Sequence, residues 1–147
     1  MQKFAAALLA TTLALAAAPA FAQSEAEMRA SIEEMHGDAD GFFDLYSALQ
    51  NAAEQNDPAA IADRVLYPLR VNTDGGSHEV PDAKAFADDF DTILPAETRD
   101  ALKAEDPADF IVTSEGVGLV NGAIWLTNIC LDDACEQTQW SILSIND

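Results

Sequence analysis

Between Glu25 and Lys103 most apolar side chains return every third or fourth residue, and from Phe110 onward the period becomes strand-like and stays so. That change constrains the fold more than any other feature, because one segment cannot satisfy both spacings. Helices first and an antiparallel meander last predict an α+β domain, with N-terminal helices packed on a curved antiparallel sheet. Four late strands are expected, at Phe110 to Thr113, Val117 to Val120, Ala123 to Cys130 and Glu136 to Ile145. Asn121-Gly122 between two of them is a hairpin signal, since a type I′ turn needs positive φ at both central residues.

The earlier part divides at its capping residues. Met28, Ile32 and Met35 stand on one stripe of a helix from Glu25 to His36, which Gly37 can end. Asp40 is placed to cap a second helix bearing Phe42, Phe43, Tyr46, Leu49 and Ala53. Asp57-Pro58 opens a third, expected to reach about Arg64. Leu66 to Val71 reads as a strand in which Pro68 requires an edge or a bulge. After the turn at Thr73 to Ser77, His78 to Val80 returns as its partner. Asp82 caps a helix whose Phe86, Phe90 and Ile93 share a face, and Pro95 restarts it through about Lys103.

Cys130 and Cys135 bracket four residues, so a four-residue hairpin loop would set them opposite each other. A disulfide is the leading reading, with a free or metal-binding pair as the alternative. That register would place Thr127 against Thr138 and Trp125 against Trp140, while the Asn-Gly turn places Gly118 beside Trp125. Trp140, Trp125 and Gly118 would then form a row on one face, the glycine leaving room for an indole. The opposite face, with Leu119, Ile124, Leu126, Leu143 and Ile145, is apolar too. Two apolar faces need two covers, which makes a homodimer one expected arrangement.

Residues 1–22 have the form of a cleavable export signal. Lys3 gives the positive start, Phe4 to Ala18 the apolar core, and Ala20-Phe21-Ala22 the cleavage site before Gln23. The alternative, a retained anchor, needs a run of roughly 20 apolar residues. Cleavage leaves a single domain, residues 23–147, in a periplasmic or secreted location, with no membrane contact expected afterwards. It would carry 6 basic and 26 acidic side chains. Such a surface repels phosphate backbones, which argues against nucleic-acid binding.

Helices, a strand pair, another helix and then a meander resemble the NTF2-like (cystatin-like, SnoaL-like) α+β cone of ketosteroid isomerases and many small binding proteins. The resemblance is carried by Tyr67-Pro68-Leu69-Arg70-Val71-Asn72, Phe86 to Leu94, Gly116-Val117-Gly118-Leu119 and Gly122-Ala123-Ile124-Trp125-Leu126. It extends over most of residues 40–145, resembles small bacterial exported proteins of that group, and implies a fold without implying one activity.

An isomerase-like site needs a carboxylate base and a tyrosine paired with a neutral acid in an apolar pocket. Tyr46 with Asp63 or Asp91 is the set available for that chemistry. His36 and His78 lie on different elements, and the His36-Gly37-Asp38-Ala39-Asp40-Gly41 segment lacks the glutamate a calcium loop needs at its twelfth position. No metal and no cofactor are expected. Arg70, beside Tyr67, is suited to a carboxylate ligand or to pairing with a structural acid. The expectation is therefore non-enzymatic binding of a small, partly apolar molecule or of a protein partner, with Tyr46, Tyr67, Arg70, Trp125 and Trp140 as candidate contacts. An isomerase- or cyclase-type enzyme, and an envelope inhibitor of a basic enzyme, are the alternatives.

Overall fold

Ser24 caps the first helix with both halves of a capping box, its hydroxyl taking the Glu27 amide and the Glu27 carboxylate taking the Ser24 amide. The computed structural model describes residues 24–147, so the expected export signal and cleavage site lie outside the described residues. Helix α1 spans Glu25–His36 and buries Met28 and Ile32, whereas Met35 is 56% exposed and leaves the expected stripe. Helix α2, Ala39–Gln55, buries all five of its expected core residues. Its cap is Asp38 in place of Asp40: Asp38 adopts φ 50 and its carboxylate accepts the Gly41 amide. Helix α3, Pro58–Ala62, begins at the expected Asp57 cap and stops two residues before Arg64.

Strands β1 (Val65–Thr73) and β2 (Gly76–Val80) form an antiparallel pair. Asp82 caps α4, Ala83–Asp88, and the helix expected from there through Ile93 breaks into α4 and α5 (Phe90–Ile93), while α6 (Ala96–Ala104) follows the expected restart at Pro95. Phe86, Phe90 and Ile93 are nevertheless all buried on one side. The remaining strands are β3 (Ile111–Thr113), β4 (Gly116–Leu119), β5 (Ile124–Cys130) and β6 (Thr138–Asn146).

The six strands form one sheet in the order β2-β1-β6-β5-β4-β3. The class is α+β as expected, but the sheet is mixed, not antiparallel, because β6 returns between β5 and β1 and runs parallel to β1. β1 is thus an interior strand. Pro68, which has no amide hydrogen to give a ladder, sits at the register break between Val65 and Arg70, the bulge alternative of the two expected.

The β4–β5 turn keeps the expected register, Gly118 against Trp125, with positive φ at Asn121 and Gly122. Val120 also takes φ 51, a strained value for a β-branched residue, so β4 ends one residue early.

The β5–β6 hairpin differs. Cys130 and Cys135 form the disulfide, with Cα atoms 4.7 Å apart, yet the ladder pairs Cys130 with Thr138. The bridge lies inside a longer loop whose form is set by Asp132: its carboxylate accepts the amides of Ala134, Glu136 and Gln137. Pairing therefore slides by three residues, and an odd slip exchanges the faces of a strand. Trp140 stands opposite Asn128 and Trp125 opposite Ser144, so the expected tryptophan pair does not form.

Trp140 instead turns toward the helices and is 4% exposed, joining Leu119, Ile124, Leu126, Ile142 and Ile145 on the inner face. There Phe42 meets Phe43, Phe110 and Trp140 edge to face. The Trp140 indole N–H donates to the Asp38 carbonyl at 3.0 Å, and Asn128 donates to the His36 carbonyl. The sheet thereby grips the α1–α2 junction. Among the described residues, no helix is long and apolar enough to cross a membrane.

Candidate functional site

With the inner face filled, the other side of the sheet presents Trp125. Its indole lies across β4, where a Cβ on Gly118 would stand only 3.2 Å from Trp125 Cζ2. Glycine is what admits the ring, as the sequence suggested. The indole also reaches the β4–β5 turn, since a Cβ on Gly122 would be 3.6 Å from Trp125 Nε1. Beside it Trp125, Leu143, Ser144, Asn146 and Glu115 line a recess of about 190 Å³. Ile111 and Leu143 are 40% and 38% exposed at its margins. Leu143 is the extra residue of a bulge in β6, between Ile142 opposite Leu126 and Ser144 opposite Trp125, so two successive residues, Leu143 and Ser144, lie on the outer face between the inward Ile142 and Ile145.

Arg70 lies on the same rung: it pairs with Ser144 across the parallel ladder, and Ser144 pairs with Trp125. Its guanidinium donates to Asn72 Oδ1 at 3.2 Å and to Ser77 Oγ at 3.3 Å. Asn72 donates to Asn146 Oδ1, and Asn146 donates to the Gly122 carbonyl, so a chain of amides runs from Arg70 to the turn below Trp125. Two candidate contacts, Arg70 and Trp125, are thus brought to one surface.

The other three are not. Trp140 is in the inner core. Tyr67 is half-buried and donates to the Ala62 carbonyl; burial, aided by Asp82 and Asp63, pushes its hydroxyl up to about 12. Tyr46 is buried, donates to the Glu105 carbonyl and accepts from Gln50 Nε2. Burial first, then the nearby Glu105, raises its pKa well above the ordinary value.

Neither Asp63 nor Asp91 provides the acid beside Tyr46. Asp63 is exposed at the end of α3, and Asp91 pairs with Arg99 at 2.9 Å. The neighbouring acid is Glu105, which sequence reasoning missed. Desolvation pushes its carboxyl up to about 7, with Asp109 adding to the rise and the Val120 amide opposing it. Nothing local distinguishes Glu105 from the other 25 acids; only its position before Asp106-Pro107 marks it as a helix end.

Two further hollows are less well built for a ligand. The groove of about 320 Å³ between α1 and α2 contains Arg29 and Asp40, which are paired with each other. The hollow of about 240 Å³ beside the β2 edge is lined by His78, Glu79 and Asp89. His36 contacts the Thr113 carbonyl at 2.7 Å through Nε2 and serves the junction. No group of three or more metal-ligating side chains occurs among the described residues. Comparison with protein-family models, with curated proteins and with solved structures returned no match.

Proposed function

We propose that this chain is an exported, non-enzymatic binding protein of the NTF2-like kind, which takes a small, partly apolar molecule on the outer face of its sheet. The observation that carries the reading is the Trp125 indole, laid over Gly118 to wall a recess while the inner face is closed by Phe42, Phe110 and Trp140. The order of helices, strand pair, helices and meander supports the fold name, and the disulfide supports an oxidising compartment. An isomerase-type site finds its acid in Glu105, but both hydrogen bonds of the Tyr46 hydroxyl are already spent within the protein.

The test is a fluorescence titration of the protein and of Trp125→Phe with hexanol and hexanoate. A saturable change in the protein that Trp125→Phe abolishes is expected. A response that survives in Trp125→Phe, or no saturable response to either probe, would sink the assignment.

A further inference from the structure

We infer that the outer-face recess selects an amphipathic carboxylate, with Arg70 binding the carboxyl group and Trp125 and Leu143 holding the apolar part. The inference rests on the reading that this recess binds a small molecule. It adds the chemistry of that molecule.

The argument begins with the distribution of charge. Strands β1, β3, β4, β5 and β6 contain no aspartate or glutamate, although the chain has 26 acids. The acids are confined to helices, turns and β2. An anion approaching most of this molecule is repelled, and the acid-free strands lower that repulsion on the outer sheet face, where Glu79 and Glu115 remain.

Among the described residues Arg64 and Arg70 are the two basic side chains without a carboxylate partner, and of these Arg70 is the one on the sheet. Arg29, Lys84, Arg99 and Lys103 are each paired with a carboxylate. Arg70 is exposed and held by two neutral oxygens, even though Glu79 is its cross-strand partner. Two of its five N–H donors are used by Asn72 and Ser77, and the other three have no partner among the described residues. A planar fork with free donors is the side chain that binds a carboxylate bidentately.

Geometry sets the second half of the ligand. Arg70 and Trp125 are two strands apart on one rung, about 10 Å between backbones. The recess of about 190 Å³ has the volume of about six water molecules, so it accepts a short alkyl chain or a single ring. Glu115 lies on the lining of that recess and repels a carboxylate there, so the molecule binds in one direction, with its acid group toward Arg70.

The experiment measures Trp125 fluorescence in the intact protein with hexanoate, hexanol and hexylamine, near neutral pH. Hexanoate is expected to bind about tenfold more tightly than hexanol, and hexylamine more weakly than hexanoate. Arg70→Gln should bring hexanoate down to the affinity of hexanol and leave hexanol unchanged. Glu79→Gln, which removes the acid opposite Arg70, should strengthen hexanoate alone. Equal affinity for hexanoate and hexanol, or a carboxylate preference that survives in Arg70→Gln, would overturn this inference while leaving the recess assignment intact. Failure of all three probes overturns both. A Trp125 signal that follows protein concentration, with dimer seen by sedimentation, would make the face a self-association surface and also overturn it.

Discussion

Glu105 ties the end of α6 to the β4–β5 turn by accepting the Val120 amide at 2.5 Å, while its second oxygen is buried without a hydrogen-bond partner. A carboxyl in that setting favours its proton, and its folded value of about 7 stands above the ordinary 4.5. The stability it contributes is complete below the ordinary value and is lost as pH rises through about 7. Tyr46 from α2 and Asp109 after α6 also face it, and neither offers a compensating positive charge. Glu105→Gln keeps an acceptor for Val120 and removes the titration. Thermal unfolding from about pH 5 to 8 should show the unsubstituted protein losing stability relative to Glu105→Gln as pH rises from about 5 to about 7, and levelling off above that. Parallel curves would refute this.

Removing the disulfide should weaken the domain without unfolding it. Closing so short a loop is worth about 2 kcal/mol in the unfolded-chain entropy model. The loop has a second restraint in Asp132, whose carboxyl is held below the usual carboxylate range by the amides of Glu136, Gln137 and Ala134. Asp132→Ala is therefore expected to cost more in a Cys130→Ser/Cys135→Ser background than in the bridged protein. Urea unfolding of the four proteins measures the coupling, and strict additivity would count against it.

The two tryptophans should separate cleanly. Trp140→Phe loses the indole bond to Asp38 and core contact, a loss of about 2 kcal/mol. Trp125→Phe, on the outer face, should change stability by less than about 1 kcal/mol. Emission from the remaining Trp140 should be blue-shifted and resist acrylamide; that of Trp125 should be quenched readily.

Arg99 is the buried cation that sequence reading passed over. Its Nη1 donates to the Leu94 carbonyl at 2.6 Å, and its guanidinium lies 4.7 Å from the centre of the Phe90 ring. Arg99→Ala leaves that carbonyl unpaired and should cost about 2 kcal/mol. Asp91→Asn should cost less than about 0.5 kcal/mol, because the Asp91 side chain is 86% exposed. Equal losses in calorimetry would place the energy in the ion pair instead.

Caps and turns were the legible part of this chain. Asp57-Pro58, Asp82 and Asn121-Gly122 each act through bonds to neighbours in sequence, and each performs the expected role. The β5–β6 register was not legible, because a disulfide requires only that two Cα atoms come within reach. Cys130 and Cys135 meet that requirement across a turn as well as across a ladder. The decision was made by Asp132, whose three backbone bonds lengthen the loop. From that slip came the misplaced Trp140 and the wrong tryptophan pair. The sequence presents Arg70 and Trp125 as separate candidates, because their common rung depends on the parallel β1–β6 pairing, a contact between residues more than 70 positions apart.

That same pairing governs the order in which the molecule can be completed. β6 is the most C-terminal strand, yet it is the common neighbour of β1 and β5. Helices and the early hairpin can form from local contacts, but the two halves of the sheet stay apart until Thr138–Asn146 inserts between them. Ser144 and Asn146 arrive with that strand, so the outer-face recess comes into being only in the closing step of folding. A nascent chain has its hydrophobic helices long before it has its recess.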